Sequence, residues 1–495
     1  MKKLVVLFIL ALSLTAFLFS CDKEGGGIFG GSSCDHELTT VPYKMPTCSE
    51  DGNRAHYKCD KCGKLFSDNE GKKTVSADQV FIEKVDHDNF ENGFACKYCG
   101  IPCAEAYSSE IAFFGVHKNT PEQITGGMAM IMGKGVKKIT IYGALTPEQV
   151  KAVADGLSGE SGDLVIEFVD VEEIGEDFNN KAVLPGYVIL KGKLAVFNEN
   201  GLRYWVTVQK NYSLYLTGDI TLSIPSDNGS NWTPFELETH IYGNGYKIKN
   251  LRIVDPEYVN WIGYSTGFCY STKANVSTIT DLHLTNVYIR STEEGASVGA
   301  ICVAVAQGTV IKGCSVDGEI IGASQVGAIA GTNAGDIIGC VNYATVTASE
   351  NAAGGIVGQS WGKVIGCVNY GTVKCTNTEY GGAGGVLCSV TNGKLVGCIN
   401  FGSVSVTGAN AAAGGVAYMI PEFVNASTNY WKKNGGSAVY GNAETSSNTN
   451  AAEIKGSVTV EGAVNAINTK LEEIEQFFRL VLTNDSARPV SVKLN

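Results

Sequence analysis

Apolar residues between positions 296 and 420 recur in a fixed two-part pattern. Each repeat has one short apolar run that ends in Gly-Cys and a second in which a small residue and glycine precede Ile or Val. A period of this size is typical of a solenoid, in which neighbouring coils bury an apolar face that one coil could not bury alone. The cysteines of the Gly-Cys pairs are spaced 26, 27 and 31 residues apart, at Cys314, Cys340, Cys367 and Cys398.

Equivalent residues of such coils form columns, because consecutive coils of a parallel β-helix lie ~4.8 Å apart. We expect the four cysteines to form an inward column of small core side chains, although the spacing would also permit a disulfide between coils. The residues after them predict an asparagine ladder whose amides bond from coil to coil, at Asn342, Asn369 and Asn400. An aromatic column beside it would either bind sugar rings or cover a turn: Tyr343, Tyr370 and Phe401.

The segments on either side of the repeats follow other patterns. Residues 136–142 and 164–169 read as strands, and between them Thr146 and Pro147 mark the start of a helix that ends at Gly156. This strand-helix-strand unit is similar to leucine-rich turns and predicts a spacer or capping domain. Near the C-terminus, apolar residues at helical spacing predict a helix over 463–481 that caps the open end of the solenoid.

The N-terminus has the pattern of an export signal. Lys2 and Lys3 precede an apolar run over 4–19, which is shorter than the ~20 residues of a spanning helix. The peptide that ends at Cys21 resembles the bacterial lipobox, which implies cleavage before Cys21 and acylation of its thiol; an ordinary secretory signal is the alternative. Acidic residues after Cys21 resemble those of Bacteroidetes lipoproteins exported to the outer face. We therefore expect a cell-surface lipoprotein held by outer-membrane lipid, with a glycine-rich tether.

Composition narrows the classes of partner. The formal net charge is −12, and no basic run exceeds a pair of residues. Nucleic acid is therefore not an expected partner. Sixty glycines and 11 prolines suit short strands joined by tight turns.

Cysteine and histidine concentrate in residues 34–103. Two Cys-x-x-Cys-Gly turns, which direct paired thiolates at one point, predict structural zinc in a segment too small for a large core. The first site would hold Cys48, Cys59 and Cys62, completed by His36 or His87. Cys96 and Cys99 would belong to a second site, with Cys34 or Cys103; disulfides are the alternative. Residues 36–87 resemble a cysteine-rich repeat of surface proteins from gut and oral bacteria.

The repeat region resembles a known architecture. Gly243-Asn-Gly-Tyr-Lys-Ile-Lys-Asn-Leu, followed by both half-repeats in order, resembles bacterial β-helices that carry the GLUG repeat. The resemblance covers roughly residues 205–431 and implies a right-handed parallel β-helix. The predicted organisation of this mostly β chain is a signal peptide (1–20), a lipidated tether (21–33), a zinc-ribbon-like module (34–103), a small α/β spacer (104–200), a β-helix (201–431), and a linker with a C-terminal capping helix (432–495).

Three function classes fit this organisation. A polysaccharide-degrading β-helix needs acidic, basic or histidine side chains clustered on one face. The charged residues of 296–420 show no repeat in register, no histidine lies among them, and fold alone implies no activity. We therefore expect no catalytic residues and a surface adhesin that binds a host glycan or matrix protein. A polysaccharide-active enzyme and a structural surface component are the alternatives.

Overall fold

The structure of the chain is a computed structural model with two compact units, Met1–Tyr107 and Ser108–Asn495. It describes residues 35–44, 46, 51–83, 110–113, 116–129, 135–157, 164–172, 174, 186–258, 263–408, 410–421, 424–432, 438–440, 451–476 and 478–494. The predicted signal peptide, the cysteine predicted to be acylated (Cys21) and the predicted tether lie outside the described residues. No helix among the described residues is long and apolar enough to cross a membrane.

The first unit is a small antiparallel β structure. Its four-stranded sheet consists of Leu38–Val41, His56–Cys59, Leu65–Phe66 and Thr74–Val75. Gly52–Asn53 pairs with Phe81–Ile82, next to the short helix Ala77–Val80. Phe66 and Cys59 are fully buried at the centre of this thin core.

The second unit is a parallel β-helix with three faces. Face 1 is a 13-stranded sheet in the described chain, and its neighbouring strands are Glu110–Phe113, Lys138–Ile141, Val165–Phe168, Tyr187–Leu190, Lys193–Val196, Ser213–Leu216, His240–Tyr242, Thr278–Thr280, Val310–Lys312, Asp336–Ile338, Lys363–Ile365, Lys394–Val396 and Asn425–Ser427. Its pairings are parallel except for Tyr187–Leu190 with Lys193–Val196. The mostly β solenoid expected from the repeats is confirmed.

Faces 2 and 3 complete each coil. Face 2 contains Ile220–Thr221, Lys247–Lys249, Arg252–Val254, His283–Ser291, Ser315–Gly322, Val341–Asn342, Thr345–Ala348, Val368–Asn369, Val373–Cys375, Ile399–Asn400, Val404–Val406, Asn429–Trp431 and Ala451–Glu453. Face 3 contains Phe235–Leu237, Cys269–Thr272, Val298–Gly299, Cys302–Val305, Gln325–Gly327, Ala330–Asn333, Ala352–Gly354, Val357–Ser360, Gly382–Gly384, Leu387–Val390, Ala412–Met419 and Ala438–Tyr440.

The segment before the repeats continues the solenoid. The predicted helix is Pro147–Gly156, and the side chain of Thr146 caps it by accepting a hydrogen bond from the Gln149 N–H. The strands on either side of it belong to face 1, so the described part of 104–200 shares a sheet with the β-helix. The other helices of this region are Val116–Lys118 (3₁₀), Pro121–Ala129 and Glu199–Val208.

The predicted cysteine column lies inside the solenoid. All four cysteines are fully buried free thiols: Cys314, Cys340, Cys367 and Cys398. Burial raises the pKa of the Cys340 and Cys398 thiols. All four thiols are sealed from solvent, so the column acts as core packing.

The predicted asparagine ladder is confirmed, and hydrogen bonds connect the asparagine side chains of successive coils. Asn342 Nδ2 donates to Asn369 Oδ1 at 2.8 Å, and Asn369 Nδ2 donates to Asn400 Oδ1 at 2.8 Å. Each amide oxygen also accepts from the backbone N–H two residues later, and each Nδ2 donates to the carbonyl of that same residue. All three side chains are fully buried, so the ladder satisfies polar groups that water cannot reach.

The C-terminal segment, residues 460–494, differs from its prediction. The helix is Val460–Glu473, and Phe478–Leu482 and Val490–Leu494 then form an antiparallel hairpin. The expectation of a helix to residue 481 is wrong because alternating burial from Phe478 to Leu480 suits a strand. The segment packs on the flank of the coils, where helix, hairpin and coil residues share one apolar cluster.

Candidate functional site

Three predicted metal ligands meet in the first unit. Ligand atoms of His36, Cys59 and Cys62 all lie within 4.8 Å of one another, and His36 Nδ1 is 3.5 Å from Cys62 Sγ. The knuckle forms because the Gly63 N–H donates to the Cys59 carbonyl at 2.8 Å, with Gly63 at φ 72°. The Asp60 N–H donates to the Glu37 carbonyl, which brings the strand after His36 beside the knuckle.

This donor set fits a metal ion. In a tetrahedral site with metal–ligand distances of ~2.0–2.3 Å, ligand atoms lie about 3.3–3.8 Å apart, as His36 and Cys62 do. Burial raises the pKa of the Cys59 thiol, but hydrogen bonds from His36 and nearby backbone groups outweigh it and lower the pKa to about 6. A thiol that ionises this readily is suited to bind a cation. The other predicted ligands lie outside the described residues: Cys34, Cys48, His87, Cys96, Cys99 and Cys103.

The predicted aromatic column exists, but its outer side is covered. The rings of Tyr343 and Tyr370 stack with centroids 5.6 Å apart, and those of Tyr370 and Phe401 stack at 5.1 Å. Tyr370 Oη donates to the Val490 carbonyl at 2.7 Å and accepts from the Val490 N–H at 2.8 Å. The Arg488 guanidinium lies 4.3 Å from the centre of the Tyr343 ring. A sugar ring could stack on this column only if the C-terminal segment left.

The glycines of the Gly-Cys pairs make room for that segment. Gly366 has φ 62°, and a Cβ there would lie 2.3 Å from the Phe478 ring. A Cβ at Gly397 would approach Ile467, and one at Gly313 would approach Leu494. The repeated glycine therefore supplies both the left-handed turn and the seat of the C-terminal segment.

An open cleft of about 410 Å³ lies at the corner where face 3 turns into face 1. We call it the corner cleft. Trp361 is 42% exposed at its edge. The polar side chains that line it are Asn275, Gln307, the buried Thr309, Asp336, Lys363, Asn392 and Lys394. This volume lies within the usual range of ligand sites.

Unequal turns create the corner cleft. Two residues join Asn333 to Asp336, and two join Ser360 to Lys363, whereas the turns of the adjoining coils, residues 306–309 and 391–393, have four and three residues. The longer turns project beyond the shorter ones and leave a depression between them.

Buried polar groups hold the turn that carries Trp361. The Asn333 carbonyl accepts from the Trp361 N–H at 2.7 Å and from the Gly362 N–H at 3.1 Å. Asn333 Nδ2 donates to Ser360 Oγ at 3.1 Å, and both side chains are fully buried. The backbone below the exposed indole is therefore fixed, which lowers the ordering cost of binding a ligand there.

The charges of the corner cleft repeat in register. Asp336 pairs with Lys363 across neighbouring strands, and Lys363 pairs with Lys394. The prediction of no charge repeat is therefore wrong at this column, because the strand pairing aligns residues 27 and 31 positions apart. Sequence reasoning also missed Trp361, although a large aromatic residue where the previous coil has Ala334 was an available signal.

A second depression, of about 440 Å³, lies beside the helix Glu199–Val208. Its charged groups bind one another: Arg203 donates to Glu199 at 2.6 Å, and Glu199 Oε2 accepts two hydrogen bonds from Ser223. Its tryptophan, Trp232, is buried. The depression thus offers a ligand fewer free groups than the corner cleft.

Serine, histidine and aspartate meet on the outer side of face 2. Ser315 Oγ lies 2.7 Å from His283 Nδ1, and His283 Nε2 lies 3.3 Å from Asp281 Oδ1. The strand register places His283 directly beside Ser315. This order of contacts could relay a proton from the hydroxyl, but the Ser315 N–H already donates to the Leu282 carbonyl and so cannot stabilise an oxyanion.

Comparisons with known proteins assign no family to this chain. The sequence matches no known protein family and no curated protein. Among solved structures, the chain is similar to one described as a candidate immunoglobulin A1 protease from Bacteroides ovatus, at 17% identity and a TM-score of 0.47. The match covers 61% of this chain and 92% of that one.

Proposed function

We propose that this chain is a lipid-anchored bacterial surface protein that binds saccharide in the corner cleft without catalysis. Exposed Trp361 on its fixed turn carries the proposal. The apolar face of a sugar ring packs well on an indole, and sugar hydroxyls need the amide and charged partners that surround it. The cleft thus replaces the covered aromatic column as the expected site for a host glycan.

The sequence supports the surface location. The signal-like N-terminus and Cys21 favour export and acylation, and the glycine-rich tether would hold the folded units away from the membrane. The GLUG-like repeats provide the rigid scaffold. A matrix protein remains the other ligand class, and a glycoprotein would present saccharide to the same cleft.

We propose that His36, Cys59 and Cys62 hold a structural zinc ion. Two thiolates and an imidazole are a preferred zinc donor set, and a thin core gains much of its folding energy from such an ion. One ligand from outside the described residues would complete the site.

An array experiment tests saccharide binding. The soluble form, residues 22–495, would be applied to host glycans, mucin saccharides and matrix proteins. We expect at least one saturable saccharide signal that Trp361→Ala removes. Tyr380→Ala is the matched control, because Tyr380 is 64% exposed at a different corner. A folded protein that binds no saccharide would overturn the proposal.

A hydrolase is the second candidate, favoured by the 2.7 Å contact between Ser315 and His283. His283 would take the Ser315 proton while Asp281 orients the ring. Labelling with a fluorophosphonate probe distinguishes this candidate. Labelling of Ser315 that His283→Gln removes would support a hydrolase, and an unlabelled serine would count against it.

A further inference from the structure

The corner cleft holds an uneven set of charges. Asp336, Lys363 and Lys394 occupy the same register position on three consecutive strands of face 1, and neighbouring parallel strands lie ~4.8 Å apart. One carboxylate therefore shares this column with two ammonium groups: Asp336 neighbours Lys363, and Lys363 neighbours Lys394. This patch is locally positive although the formal net charge of the chain is −12.

The Asp336 carboxylate already forms an ion pair. Lys363 Nζ lies 2.7 Å from Asp336 Oδ2, and the two side chains are 45% and 30% exposed. Lys394 is exposed and makes no ion pair among the described residues. Its charge thus remains available at the wall of the corner cleft, on the same side as Trp361.

We propose that the corner cleft selects acidic saccharides, and that Lys394 receives the carboxylate or sulfate of a sugar ring seated against Trp361. This inference rests on the proposed saccharide function and adds its chemical class. An anion at Lys394 would balance the ammonium group of this column that Asp336 does not pair. The amides of Asn275, Gln307 and Asn392 remain for the sugar hydroxyls.

Paired probes test the inference on the mature chain. An oligogalacturonic acid would be compared with the same oligosaccharide after reduction of its carboxyl groups, and with a sulfated oligosaccharide. We expect an acidic form to bind about ten-fold tighter than the reduced form, because one charge-assisted hydrogen bond changes affinity by roughly that factor. Whether the carboxylated or the sulfated probe binds more tightly identifies the source of the anion.

Variants assign the effect to residues. Lys394→Met should remove the preference for acid, measured as the ratio of the affinities for the acidic and the reduced probe. Lys374→Met is the matched control, since Lys374 is exposed on face 2, outside the corner cleft. Asp336→Asn should strengthen acid binding, because it releases the charge of Lys363.

The outcomes separate the two proposals. If the acidic and reduced probes bind equally well, the acid preference is overturned. If Trp361→Ala also abolishes that equal binding, the proposed saccharide function still stands. Retention of the acid preference in Lys394→Met would also overturn the inference. No binding of any probe would reject both.

Discussion

Replacing Asn369 with alanine should destabilise the β-helix more than any exposed asparagine replacement. Asn369 occupies the middle of the ladder, where its amide donates to Asn400 Oδ1 and accepts from Asn342 Nδ2, each at 2.8 Å. It also donates to the Gly371 carbonyl at 3.0 Å and accepts from the Gly371 N–H at 3.1 Å. Alanine removes all four hydrogen bonds.

The magnitude follows from burial. The two ladder bonds are worth about 1 kcal/mol each, and the buried N–H of Gly371 left without its partner costs a further ~1–3 kcal/mol. Asn369→Ala should therefore lower the free energy of unfolding by about 3–5 kcal/mol. The loss should be local to the neighbouring coils, because solenoid stability is nearly a sum of coil and interface terms.

Urea unfolding followed by circular dichroism measures the total effect, and amide hydrogen exchange locates it. Asn377→Ala is the matched control. Asn377 makes three hydrogen bonds, with Glu350, Glu379 and Tyr380, but it is half-buried at a turn where water can replace them. A loss in Asn369→Ala no greater than in Asn377→Ala would refute the reasoning.

Three further predictions concern other parts of the chain. Cys59→Ser should remove most bound zinc from the full-length protein by metal analysis, whereas Cys388→Ser, in the solenoid core, should not. Gly366→Ala should expose the C-terminal segment to proteolysis, whereas Gly295→Ala, with φ 74° and no atom within 4 Å of its Cβ, should not. Burial raises the pKa of Tyr370 above its ordinary value of ~10. The free energy of unfolding, measured with urea, should therefore be steady below about pH 10 and fall at higher pH. Tyr370→Phe should make this fall smaller.

The repeat predicts the scaffold because each coil follows the same physical rule. A column of asparagines at equal register can bond only to its neighbours, so Asn342, Asn369 and Asn400 predicted a ladder that the structure contains. The cysteine column followed from the same reasoning. The helix start at Thr146 was predictable because its cap and Pro147 are local signals.

The surface sites depended on contacts that the repeat does not specify. The cover over Tyr370 comes from Val490, 120 residues later in the chain. The corner cleft arises from differences in turn length, and its charge column from strand register across unequal repeats. The sequence predicted Cys59 and Cys62 with either His36 or His87, and the hydrogen bond between Asp60 and Glu37 explains why His36 lies beside the two cysteines.

Calorimetric titration of one saccharide identified on the array into the mature chain tests the central claim most directly. We predict saturable binding to the unaltered protein and to Tyr380→Ala, and a dissociation constant at least ~30-fold higher in Trp361→Ala, as for tryptophan side chains that a bound partner covers. Circular dichroism would establish that Trp361→Ala remains folded. Equal affinity of the unaltered protein and Trp361→Ala would contradict a saccharide site in the corner cleft.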